Sequence, residues 1–174
     1  MKLFLVGLVA ASAVWAQASS GTLTICEVLR DRLQYNGKIV KIRGVYSSTD
    51  EGTWLVSPEC DPQIKTDNYG WRPVLWLTVP TDRAVWPAPF AEDTENRAAF
   101  RRLWAANGMD NSKQLKVTII GRFDTYTDLV RRTVINRVGE RMILGYGHMN
   151  QALGQLIIQS YVLDEVAVED APKR

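Results

Sequence analysis

Short segments with alternating or continuous hydrophobic residues, separated by turn-forming residues, constrain the fold of this chain most. Residues 115–123 alternate most clearly, and residues 38–47 alternate with Gly44 inside the segment. A period of two residues is typical of strands with one buried face, and an interior glycine permits a bulge or a sharp bend. Five segments are predicted as strands, at residues 38–47, 53–56, 73–79, 115–123 and 155–162. The chain is therefore predicted to be mainly β.

Two helices complete this pattern. Residues 24–34 carry apolar side chains at helical spacing, and a second helix is predicted to begin at Asp93 or Thr94. A helix between the third and fourth of five strands is the arrangement of the OB-fold, a small Greek-key barrel. We therefore predict a single OB-fold-like domain over residues 19–168, with a short N-terminal helix. A mixed α+β roll is the competing fold.

The first eighteen residues have the three zones of a secretory signal peptide. Lys2 supplies the positive start, residues 3–14 are apolar or small, and Ala16-Gln17-Ala18 has the form that signal peptidase cleaves. A transmembrane anchor needs about 20 strongly apolar residues, and this run is shorter. We predict that residues 1–18 are removed, that the protein is periplasmic or secreted, and that the mature chain is not inserted in a membrane. Residues 169–174 are predicted to form a charged tail.

Charge and cysteine content limit the function classes. The chain has 21 Lys and Arg against 19 Asp and Glu, so a nucleic-acid partner is not expected. One His and two Cys cannot fill a closed Cys/His zinc site, and neither a metal nor a cofactor is expected. In an exported chain the two cysteines favour a disulfide between Cys26 and Cys60. A redox thiol pair and metal ligands are the alternatives.

Several segments of the mature chain also carry a resemblance. They are TICEVLRDRLQYNGKIVKIRGVY, LVSPEC, LKVTIIGRF and GYGHMN, the last followed by QLIIQSYVLDEV. Together, over about residues 22–168, they resemble a group of exported bacterial OB-fold proteins for which no activity is established. The resemblance implies the fold and a Cys26–Cys60 pairing, and it brings no activity.

OB-fold barrels commonly bind ligands along strands 2 and 3 and with the loops between strands 1–2 and 4–5. The candidate binding residues here are aromatic or basic side chains and the single histidine: Tyr46, Trp54, Arg122, Arg131, Arg132, Arg137, Arg141, Tyr146 and His148. Trp76 lies inside an apolar run and is predicted to be core. A solvated face with ion pairs is the alternative for the arginines, and a loop-anchoring role is the alternative for His148.

The sequence contains no recognisable hydrolase, metalloprotease or nucleotide-binding motif. This favours a non-enzymatic exported module that binds an unidentified small ligand or envelope protein. A hydrolase or nuclease that uses His148 with Asp124 or Asp128 is the first alternative. The second is a structural envelope assembly protein, suggested by the Trp- and Pro-rich residues 69–92.

Overall fold

The computed structural model describes residues 21–58, 60, 64–66, 69–79, 92–107, 113–129, 133–135, 137–139 and 141–171, with backbone alone for residues 133 and 141–143. The predicted signal peptide, Arg131 and Arg132 lie outside these residues. In chain order the elements are β1 (Leu23–Thr24), α1 (Ile25–Arg30), α2 (Arg32–Tyr35), β2 (Ile39–Thr49), β3 (Gly52–Val56), β4 (Ile64–Thr66), β5 (Tyr69–Trp71), β6 (Val74–Thr78), α3 (Thr94–Asn107), β7 (Lys113–Thr125), β8 (Thr133–Ile135), β9 (Arg141–Ile143), β10 (Gly154–Tyr161) and β11 (Ala167–Asp170).

Five of these strands close into a mixed barrel. β2 pairs with β3, β3 with β6, β6 with β10, β10 with β7, and β7 pairs back with β2. The β6–β10 pair is parallel, and the other four pairs are antiparallel. The prediction of a mainly β chain with a five-stranded barrel is confirmed. Within the described residues, no helix has the length and hydrophobicity needed to cross a membrane.

The barrel interior is filled by the alternating apolar residues of its strands. Leu115, Val117, Ile119 and Phe123 of β7, predicted to share one face, are all fully buried. Leu55, Leu75 and Leu156 on the other strands are equally buried. Each such side chain stabilises the fold by about 1.5–3 kcal/mol relative to exposure, so the barrel core dominates the folding free energy.

The predicted helix over residues 24–34 consists of two short helices that meet at Asp31, where the backbone leaves helical geometry. Thr24 caps α1, because its hydroxyl accepts a hydrogen bond from the Glu27 backbone N–H at 3.2 Å. The Thr24 backbone N–H donates to the Glu27 carboxylate at 2.7 Å, and this bond is the main cause that lowers the pKa of Glu27. Cys26 of α1 lies at disulfide distance from Cys60, with 5.8 Å between their Cα atoms. The predicted pairing therefore ties α1 to the segment after β3.

Helix α3 packs against one end of the barrel. Asp93 is its N-cap, since its carboxylate accepts from the Asn96 backbone N–H at 2.9 Å. The Asn96 side chain forms two hydrogen bonds with the backbone of Tyr161, at 2.7 and 2.6 Å. Phe100 stacks on the Tyr161 ring with 3.8 Å between centroids. These contacts fix α3 against β10.

The segment after β10 turns back instead of continuing as one strand. A 3-10 turn over Leu163–Glu165 redirects the chain, and β11 then pairs with the start of β7. Glu165 accepts a hydrogen bond from Lys41 at 2.6 Å and one from Arg43 at 3.1 Å. The hydrogen bond from Lys41 is the largest cause that lowers the pKa of Glu165 to about 2, followed by hydrogen bonds from Thr118 and Arg43. β11 extends to Asp170, two residues into the segment predicted as a charged tail.

Two hairpins lie in segments for which the sequence predicts no strand. β4 pairs with β5, and β8 pairs with β9. Each of these strands has three residues, which is too short for alternation to be visible in the sequence.

Candidate ligand-binding face

One row of side chains crosses the outside of the barrel from β3 to β7. Trp54 pairs with Trp76, Trp76 with Gln155, and Gln155 with Asp124. Directly opposite residues project to the same side of a sheet. Since their chain neighbours Leu55, Leu75, Leu156 and Phe123 are buried inside, these four side chains point outward. We call this row, together with Arg122, the tryptophan face.

The two tryptophans contact each other edge to face. Their ring centroids are 5.2 Å apart at an interplanar angle of 78°, and both side chains are half-buried. The expectation that Trp76 belongs to the core is therefore wrong. Leu75 and Leu77 turn inward on β6, and the tryptophan between them must turn outward.

Two loops meet over Trp76. A Cβ atom at Gly52, the first residue of β3 after the β2–β3 turn, would overlap the Trp76 ring, and a Cβ at Gly147 would lie 2.5 Å from its Cδ2. Both glycines have positive φ, +146° and +73°. Glycine is required at these two positions for two reasons. The backbone has a positive φ, and it rests directly on the indole ring, which leaves no room for a side chain.

His148 joins the two loops. Its Nε2 lies 3.6 Å from the Glu51 carboxylate in the β2–β3 turn, an ion pair that exists only when the imidazole is protonated. Both side chains are largely exposed, at 45% and 61%. His148 therefore faces a carboxylate, that of Glu51, which the sequence did not single out.

The loop that carries His148 is held at its base. Tyr146 and Ala152 exchange two backbone hydrogen bonds, at 2.7 and 3.3 Å. The Tyr146 ring stacks on Tyr126 with 4.3 Å between centroids. Met149 and Asn150 have φ values of 54° and 55°, which non-glycine residues rarely adopt. Such strain persists only where the surroundings fix the backbone.

The other end of the tryptophan face is polar. Arg122 Nε donates to one Asp124 oxygen at 2.8 Å, and the Gln155 amide lies 3.5 Å from the other. The three side chains are partly buried and orient one another. Asp128 is exposed on the segment after β7.

Tyr46 is not part of this face. Tyr46 packs against Phe100 and Trp104 of helix α3, and burial raises the pKa of its hydroxyl. Arg137 is exposed in the β8–β9 turn, and Arg141 lies in β9. Among the predicted arginines, Arg122 belongs to the tryptophan face.

No group of three or more His, Cys, Asp or Glu side chains in the described part of the chain is arranged to hold a metal ion. A scan against protein-family models, a search of curated proteins and a search of solved structures gave no match to this chain. These comparisons therefore assign no function, and the geometry of the tryptophan face is the feature that indicates one.

Proposed function

We propose that the protein is an exported, non-enzymatic, OB-fold-like module that binds its ligand on the tryptophan face. The pairing order β2–β3–β6–β10–β7, with a parallel β6–β10 pair, supports the OB-fold-like interpretation. The position of α3 between β6 and β7 in the chain also supports it. The N-terminal sequence and the Cys26–Cys60 pair support export, because disulfides persist in oxidising compartments.

One observation carries the binding proposal: two adjacent tryptophans lie outside the barrel where two loops converge. A tryptophan that points away from the core leaves apolar ring surface in water, and such surface is typical of binding sites. In OB-folds this face and these two loops bind ligands. The binding module is therefore favoured over the two alternatives.

A thermal-shift screen of the purified protein tests this function. A ligand that binds only the native state stabilises it by about 2.7 kcal/mol at 100 times its dissociation constant. We expect a member of a panel of oligonucleotides, glycans and peptidoglycan fragments to raise the melting temperature, and Trp54→Ala to abolish the rise. Leu33→Ala, at an exposed position on α2, is the control. A ligand response that Trp54→Ala leaves unchanged would remove the site, and no response across the panel would contradict the function.

A further inference from the structure

We infer that the ligand of the tryptophan face is an uncharged oligosaccharide. Trp54 would stack on the apolar side of a sugar ring, and Gln155 and Asp124 would bind hydroxyl groups of the same chain of sugars. The inference rests on the proposed function and specifies its ligand class.

The aromatic end offers a rigid platform. The Trp76 ring is fixed by the backbones of Gly52 and Gly147, and Trp54 is held against Trp76 by an edge-to-face contact. An aromatic ring whose orientation is fixed before binding loses little conformational entropy when a ligand stacks on it. The C–H groups on one side of a pyranose ring suit such a surface, since indole is flat and its face is negative.

The polar end suits hydroxyl groups. A hydroxyl both donates and accepts, and its best partners are planar side chains that supply both functions side by side. Asp124 accepts, Arg122 donates, and the Gln155 amide does both. Their mutual contacts at 2.8 and 3.5 Å hold them in place before a ligand arrives.

The span of the row indicates more than one sugar. Trp54 and Asp124 are separated by three strand-to-strand steps, through Trp76 and Gln155. At about 4.8 Å a step this is roughly 14 Å, which exceeds the width of a single pyranose ring. A ligand that contacts both ends is therefore an oligomer.

Charge argues against a polyanion as the ligand. Arg122 is paired with Asp124, and His148 is paired with Glu51. The whole chain carries a formal net charge of only +2. Nucleic acids and sulfated glycans are bound through unpaired cations, and binding of such ligands falls steeply with salt. An uncharged ligand needs no such cations.

An array of uncharged oligosaccharides, followed by calorimetry on the best binder, tests the inference. We expect binding that is insensitive to salt, and at least about tenfold weaker affinity in Trp54→Ala and in Asp124→Asn. Trp54→Phe keeps a stacking ring and should retain most of the affinity. Asp170→Asn is the matched control and should bind as the wild type does. It removes a carboxylate of β11 that lies beside the start of β7, at the end of that strand opposite to Asp124.

Two results would overturn the inference. No binding to any uncharged oligosaccharide, with Trp54-dependent binding of an oligonucleotide or a peptide, would refute the ligand class and leave the proposed binding face standing. Binding of an uncharged oligosaccharide that is unchanged in both Trp54→Ala and Asp124→Asn would refute the site. Urea unfolding of each variant establishes that a lost affinity does not come from a lost fold.

Discussion

Replacing Gly147 with alanine should destabilise the protein through the contact with Trp76. The backbone at this position has φ +73° and ψ −169°, a region essentially restricted to glycine, and holding another residue there costs about 1–3 kcal/mol. The new methyl group would also lie 2.5 Å from Trp76 Cδ2. Relieving such an overlap costs about 1–3 kcal/mol. The expected loss of unfolding free energy is therefore about 2–6 kcal/mol.

Gly139 provides a control that separates the two causes. Its φ is +83°, close to that of Gly147, but a Cβ atom there would meet no atom within 4 Å. Gly139→Ala should therefore lose only the conformational part, roughly 1–2 kcal/mol. Gly147→Ala should lose more than Gly139→Ala, and the coupling to Trp76 isolates the part of that loss that the overlap contributes.

Urea unfolding followed by circular dichroism measures both variants without using tryptophan fluorescence, which the Gly147 substitution would itself perturb. A double-mutant cycle with Trp76→Leu should show coupling, because a smaller side chain removes the overlap. Equal losses in Gly147→Ala and Gly139→Ala, with no coupling to Trp76, would refute the claim that this loop rests on the indole ring.

Three further perturbations test contacts that stabilise the fold outside the tryptophan face. Reducing the Cys26–Cys60 pair, 34 positions apart, should cost about 4 kcal/mol of unfolding free energy and lower the melting temperature by roughly 8–16 °C. The double variant Cys26→Ser/Cys60→Ser should not respond to reductant, and an unchanged melting temperature of the reduced wild type would contradict the pairing. Because the pKa of Glu165 is lowered to about 2 from an ordinary 4.5, its contribution to stability is present above pH 4.5 and lost as the pH falls toward 2. Urea midpoints from pH 7 to 2 should therefore fall less steeply for Glu165→Gln than for the wild type, and parallel curves would argue against the lowered pKa. Asn96→Ala removes both hydrogen bonds to the Tyr161 backbone and should cost about 2 kcal/mol or more in urea unfolding, with Asn96→Asp, which keeps the acceptor, costing less; equal losses in the two variants would contradict this.

The sequence predicted the barrel strands because each has a hydrophobic pattern of its own. Residues 115–123 alternate, and Leu115, Val117, Ile119 and Phe123 all point inward. In β6 every side chain before Thr78 is apolar, so the sequence does not show which of them face outward. Only the pairing of β6 with β3 and β10 places Trp76 outside.

Two features of the site differ in how much signal they left in the sequence. Tyr46 shares parity with Val40 and Ile42, so the alternation that predicted β2 already carried a signal against the placement of Tyr46 among the binding residues. The contact between Glu51 and His148 left no such signal. These residues are far apart in the chain, and they meet only because the barrel brings the two loops to one end.

The loop over Trp76 links binding to local stability. The backbone in the middle of the loop is strained at Met149 and Asn150. The base of the loop is held by the backbone hydrogen bonds of Tyr146, and Gly147 rests on Trp76. A ligand that stacks on Trp54 would add contacts to the tryptophan pair on which this loop rests and would thereby stabilise the loop. By linkage, a substitution that loosens the loop would weaken ligand binding by the same free energy. Gly147→Ala should therefore reduce affinity as well as stability, although Gly147 itself need not touch the ligand. Slower amide exchange in residues 147–151 on ligand addition, lost in Gly147→Ala, would follow from this coupling; exchange that a bound ligand does not change would show the loop to be independent of the tryptophan face.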